Sequence, residues 1–322
     1  MLVMLSAIML VSCGNSETNL SLRVGHTLDT KHAVHKSLVH MSERLEHYSH
    51  GAMSLKLYPN GQLGSEREMV ELLQIGSLAI TKVSAAAMEG FVPEMKVYSL
   101  PYIFRSREHR WQVLQGDVGQ DILAASSKAN LTGLGYFDAG SRSFYTCNDM
   151  VSSPKNIIGK KIRVMSSQTA IKMVEAFGGA ATPISWGELY AALQQGVVDG
   201  AENNPPSYYL SHHYEICPYY SLNEHTSVPD VIIASKHIFE SLNTQQQQWL
   251  TQAMEDAVEY QKSLWLASEE EALTAVKAAG VEVIYPDKTP FFDAVKPFHA
   301  TYKGTFVGEL MSRIKQQGAN DE

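Results

Sequence analysis

The chain has 322 residues, 44% of them hydrophobic and 19% charged, with a formal net charge of -8. That length and apolar content suffice for two ordinary domains or one large one and exclude a disordered chain. The acidic balance and the lack of a dense Lys/Arg cluster argue against nucleic acid and anionic membrane surfaces as partners, so a bound anion would need a few local cations.

Met1 to Val11 is apolar and uncharged, shorter than the about 20 residues that span a bilayer, and leads into Leu10-Val11-Ser12-Cys13. The tetrapeptide looks like a bacterial lipobox, in which Cys13 becomes the lipidated first residue and residues 14–19 a flexible tether. No Lys or Arg precedes the apolar run, and a plain secretory signal is the alternative. The other two cysteines, Cys147 and Cys217, are too few for a disulfide scaffold and lack metal-type spacing; they read as isolated thiols, with a single bridge left open.

From Leu20 onward strand and helix periods alternate. Leu20 to Val24 reads as a strand, and Val34, Leu38, Met41, Leu45 and Tyr48 then recur at helical spacing before Gly51. Met53 to Tyr58 is a second strand, Ser65 and Glu68 form a capping box for a helix through Leu73, and Leu78 to Ser84 is a third strand. This succession implies right-handed crossovers and a largely parallel sheet. A second series contains strands ending at Phe137 and covering Lys161 to Met165 and Ala181 to Ser185, with a helix over Thr169 to Phe177. Ser185 and Glu188 form another capping box, opening a helix that ends at Gly196 ahead of a strand over Val197 to Ala201. Beyond Val231-Ile232-Ile233, Thr244 to Ala279 lacks Pro and Gly and predicts one helix of about ten turns, or two with a bend, able to brace two lobes.

Enzyme signatures are missing: Gly133-Leu134-Gly135 lacks the third glycine of a dinucleotide fingerprint, and there is no GxxxxGK[ST], GxSxG or HExxH. His32, His35, His212 and His213 stand at spacings a metal site can use, but solvated or hydrogen-bonded histidines are the preferred reading over a zinc cluster, and neither a metal nor a cofactor is expected. Arg163, inside the apolar Ile162-Arg163-Val164, and Arg142, in Gly140-Ser141-Arg142, differ from the other basic residues: an arginine on a strand face is costly to bury unless an anion meets it. Each alone fits a salt bridge or a ligand contact. The polar run Val198 to Pro206 reads by itself as a loop after a strand, where clefts of α/β sheets form.

Gly159-Lys-Lys-Ile-Arg163-Val, Glu188-Leu-Tyr-Ala-Ala-Leu-Gln-Gln-Gly196 and Val198-Asp-Gly-Ala-Glu-Asn203 together resemble the DctP family of substrate-binding proteins that serve TRAP transporters. Tyr58 to Gly64, Leu100-Pro-Tyr-Ile-Phe104 and Ala279 to Val283 extend the similarity over almost the whole chain after the leader. The resemblance implies a periplasmic-binding-protein-like α/β fold of two lobes with a hinge and a long bracing helix. The lobes would cover 20–140 with 229–268, and 141–228 with 269–322, after a signal and tether over 1–19. It also implies a monomer that is not an enzyme, in the periplasm of a Gram-negative bacterium, delivering its ligand to transporter membrane subunits; the lipobox reading of Cys13 adds a lipid anchor.

Carried over residue by residue, the resemblance assigns Arg163 as the carboxylate clamp and Arg142 as the second arginine. Asn203, Trp186, His26, Ser84 and Lys82 become further ligand contacts. The doubled Asn203-Asn204 with Glu202, Lys82, Ser84, His26 and the His225 segment resembles the branch that binds hexuronates such as D-glucuronate and D-galacturonate. A C4-dicarboxylate or other small carboxylate is the alternative, and an exported zinc-binding protein a more distant one. The chemistry agrees with a carboxylate ligand, because a guanidinium fork pairs with it bidentately as lysine cannot.

Overall fold

The computed structural model describes residues 19–317; the leader, with Cys13, lies outside the described residues. Strand β1 (Leu20–Gly25) leads into helix α1 (Ala33–Tyr48), whose apolar stripe Val34, Leu38, Met41 and Leu45 is fully buried. Strand β2 (Met53–Tyr58) and helix α2 (Glu66–Gln74) follow, and the Ser65–Glu68 capping box is present. Strand β3 (Ile80–Ser84), the single turn α3 (Ala85–Met88), helices α4 (Arg107–Gln115) and α5 (Asp117–Ala125) and strand β4 (Leu131–Phe137) complete this part.

The chain then builds β5 (Arg142–Thr146), β6 (Lys161–Val164), α6 (Gln168–Ala176), β7 (Ala180–Pro183), α7 (Trp186–Gln194), β8 (Gly200–Asn203), α8 (Pro205–Leu210) and β9 (Tyr219–Thr226). It returns through β10 (Asp230–Ser235) and α9 (Lys236–Ser241) to the long α10 (Thr244–Ala278), and ends with β11 (Glu282–Ile284), α11 (Thr289–Ala300) and α12 (Phe306–Gln316). Among the described residues no helix is long and apolar enough to cross a membrane.

Two sheets result, ordered β2-β1-β3-β10-β4 and β11-β9-β5-β8-β6-β7. The expectation of a largely parallel sheet needs correction. β1 pairs parallel with β2 and β3, but β10, arriving from the second sheet, runs antiparallel between β3 and β4. In the second sheet β5 is antiparallel to both β8 and β9. The fold is the two-lobed α/β arrangement expected, with mixed sheets.

The Val198–Asn203 run also differs from its reading. The strand starts at Gly200 and carries Glu202 and Asn203 into the sheet interior, between β5 and β6. Gly200 is required there: a Cβ would come 2.3 Å from the Tyr145 carbonyl oxygen. At α7, Ser185 Oγ donates to Glu188 Oε2 at 2.6 Å, but neither side chain reaches a backbone amide, so the expected capping box is not formed.

α10 is a single helix of 35 residues that packs on α1, β4 and α8. Its buried Gln261 makes two bonds of 2.8 Å to the Asp138 backbone, accepting from N and donating to O, and so grips the chain where it leaves the first sheet. Cys147 and Cys217, whose pairing the sequence left open, form a disulfide.

Candidate functional site

The chain passes from the first sheet to the second at residues 138–141 and back at 227–229. Between the sheets lies a cavity of about 160 Å³, lined by the ends of β3, β6 and β8, the starts of β5 and β10, and the turn after β1. This is where α/β sheets place ligands, because strand ends leave side chains and backbone amides unpaired.

Arg163 reaches the cavity from the middle of β6 and is only 2% exposed. Its Nε donates to the Ile184 carbonyl at 2.8 Å, its Nη1 is buried with no hydrogen-bond partner, and its guanidinium carbon sits 5.7 Å from the Trp186 ring centroid. No ion pair compensates it among the described residues, and burial pulls its pKa below the usual arginine value.

Arg142 is also buried, but its charge is met. Its Nη2 and Nε hold Glu202 Oε1 and Oε2 at 2.8 and 2.5 Å, and its Nη1 donates to Asn203 Oδ1 at 2.7 Å. Burial opposes the Arg142 charge, yet Glu202 outweighs it and the pKa rises. Burial likewise opposes the Glu202 carboxylate, but Arg142 and the His225 hydrogen bond bring its pKa down to about 2. Glu202 is not on the cavity wall; it stands behind Arg142 and fixes it.

Asn203 Oδ1 accepts from Arg142 and from the Asn204 amide at 2.9 Å, which orients Nδ2 as a donor free of protein partners on a cavity-lining side chain. Asn204 is occupied: its Oδ1 caps α8 by accepting from Ser207 N, and its Nδ2 donates to the Ala139 carbonyl. Trp186, expected as a ligand contact, is the first residue of α7; it lines the cavity with one face toward Arg163 and packs against His213.

From the first sheet, Lys82 and Ser84 line the cavity, and Lys82 is neutralised: its Nζ lies 3.0 Å from Glu66 Oε1 and 3.1 Å from Asp230 Oδ1. His26 does not line it. Its ring turns to His35, with 3.0 Å between Nε2 and Nδ1, and burial pushes its pKa down to about 3. Thr27, one position on, takes the place expected of His26.

Sequence reasoning missed Glu66, Asp230 and His32 as cavity residues. Glu66 was hidden beside the capping box, and Asp230 at the edge of an apolar strand. His32 caps α1 through Nδ1, lies 3.4 Å from Ser207 Oγ, and is held neutral by burial, its pKa about 3. Among the described residues no three or more His, Cys, Asp or Glu are grouped to hold a metal ion, so the zinc reading finds no ligand set there.

Four cations line the cavity, Arg67, Lys82, Arg142 and Arg163, with Glu66 and Asp230 on the wall and Glu202 behind Arg142. Two α/β lobes facing a polar cavity with one uncompensated guanidinium define the class, a two-lobed binding protein for a small solute.

The particular family follows from comparison. Residues 24–305 match the family model DctP, described as bacterial extracellular solute-binding protein, family 7. The chain belongs to this family, whose members bind solutes outside the cytoplasm. A TRAP periplasmic solute-binding protein of Xanthobacter autotrophicus, solved with β-D-galacturonate, superposes with a TM-score of 0.89 at 36% identity, covering 92% of this chain and 99% of that one. One from Pseudomonas putida with bound D-glucuronate gives a TM-score of 0.89 at 34% identity, covering 92% and 97%. The C4-dicarboxylate-binding periplasmic protein of Rhodobacter capsulatus is 28% identical over 85% of its length and 87% of this chain.

Proposed function

We propose that this protein captures a hexuronate, D-glucuronate or D-galacturonate, by clamping its carboxylate on Arg163 and closing the lobes around it. The observation that carries the reading is the buried Arg163 with an unpaired Nη1 at the cavity and no carboxylate of its own. A ligand carboxylate supplies the missing anion, and the exclusion of water strengthens the pair. Trp186 closes over the guanidinium, Asn203 Nδ2 and Ser84 meet hydroxyl groups, and Arg142 with Glu202 holds Asn203 in register. Lys82 and Asn204 support the wall, and His26 sits behind it. Ligand favours the closed state only through contacts that the open state lacks. The chain would then hand the ligand to TRAP membrane subunits, as a monomer in the periplasm tethered through Cys13. α12 packs on α5 and on residues 93–99, so we assign it to the first lobe and the remainder of 269–322 to the second.

The test is a thermal-shift screen of the chain from residue 14 onward against D-glucuronate, D-galacturonate, aldonates, sialic acid and succinate. A ligand bound only by the folded state raises the melting temperature by mass action. A shift with a hexuronate and not succinate supports the reading; a shift with succinate alone overturns it in favour of the dicarboxylate branch.

A further inference from the structure

Most cation charge at the cavity is already spent. Lys82 is 3% exposed, and its ammonium bridges two carboxylates, Glu66 and Asp230, from different elements. Glu66 Oε1 also accepts from the Ser84 amide at 3.2 Å. Each acid thus gives one oxygen to Lys82 and keeps the other, Glu66 Oε2 and Asp230 Oδ2, with no hydrogen bond or ion pair to protein among the described residues. Arg142 is saturated by Glu202, and Arg67, at the rim, is ion-paired with Glu71 and lies over the Phe91 ring. Arg163 takes one carboxylate, and no second buried cation is free for another; Arg67 is exposed at the rim and holds Glu71 through Nε.

We propose that Glu66 and Asp230, bridged by Lys82, set the ligand class: their spare oxygens accept hydrogen bonds from hydroxyl groups and repel any second carboxylate. This rests on Arg163 holding the first carboxylate. Hydroxyl groups can donate to those oxygens, whereas an ionised carboxylate has only acceptors and meets like charge at short range. Lys82 cannot turn to a ligand anion without unpairing the buried Asp230 and the half-buried Glu66, a costly arrangement. The two acids already repel one another: burial chiefly, and then Glu66, push the Asp230 pKa up despite Lys82. The site is therefore built for a polyhydroxy monocarboxylate, and discrimination against diacids comes from a repulsive element in addition to attractive ones.

The experiment compares D-glucuronate with D-glucarate, the same carbon chain carrying a carboxylate at both ends, by calorimetric titration of the unaltered chain. Glucarate is expected to bind at least about tenfold more weakly, a loss typical of a like charge at a recognition site. In Glu66→Gln and Asp230→Asn the glucuronate affinity should fall while glucarate and succinate gain, so that the ratio shifts toward diacids by about tenfold or more. Equal binding of glucuronate and glucarate by the unaltered chain overturns this inference and leaves the hexuronate reading standing, as does a uniform loss of all ligands in variants that melt normally. Binding of succinate in preference to glucuronate by the unaltered chain overturns both. The glucarate comparison needs no variant, so a failure of Asp230→Asn to fold does not decide the matter.

Discussion

Replacing Arg163 by methionine, which preserves much of the apolar stem, separates a ligand clamp from a structural arginine. In the unliganded protein Arg163 is a buried charge with an unpaired Nη1 and a depressed pKa. A buried unsatisfied group costs about 1–3 kcal/mol, so removing it should leave the unliganded protein as stable as before, or more so by up to that amount. Binding should respond in the opposite direction, because losing one partner of a desolvated ion pair costs about 3–5 kcal/mol, or roughly 10²–5×10³ in Kd. At a ligand concentration 100 times the original Kd, the stabilisation would fall from about 2.7 kcal/mol to about 0.4 kcal/mol or less. Differential scanning fluorimetry with and without D-glucuronate reads both quantities in one plate. A variant that melts several degrees lower without ligand and keeps its full ligand shift would refute the reasoning and make Arg163 a structural residue.

Arg142→Ala should behave in reverse: it strands the buried Glu202 carboxylate, so the unliganded protein loses about 3–5 kcal/mol, seen as a lower midpoint in urea, and an unchanged midpoint contradicts the pairing described. Stability should also fall in mild acid. The folded-state pKa values of His26, His32 and His213 are lowered by burial to about 3 from 6.5, so their contribution is complete above pH 6.5 and is lost as the unfolded chain takes up protons toward pH 3. At pH 5 each would remove about 2 kcal/mol, and a flat urea midpoint between pH 7 and pH 5 counts against all three being buried and neutral.

Much of the fold was legible because local signals agreed with one another. The i, i+3, i+4 stripe of α1, the Ser65–Glu68 box and the Pro- and Gly-free stretch of α10 each specify an element without help from distant residues. Strand direction was not legible. Whether β10 runs parallel or antiparallel beside β3 depends on where the chain re-enters the sheet, and Val231-Ile232-Ile233 carries no mark of that. The reading of 198–206 as a loop failed for a related reason: polar residues normally exclude a central strand, but Glu202 and Asn203 find Arg142 on the neighbouring strand, a partner 60 residues away.

The two arginines show what a sequence can and cannot decide about a charged site. Both are buried on strands, and each alone fitted equally an internal salt bridge or a ligand contact. The fold divides the two roles between them, because β8 lies between β5 and β6 and brings Glu202 against Arg142 while leaving Arg163 unpaired. Register enforces this. Arg163 stands opposite Ala201, and Glu202 opposite Phe144, so the only acid of β8 points to the Arg142 side. Moving the acid one position along β8 would turn it to the other face of the sheet, since successive side chains alternate. Such a shift would strand Arg142 without its partner, so the position of Glu202, as much as the presence of Arg163, leaves the cavity with a single buried, unpaired guanidinium among the described residues.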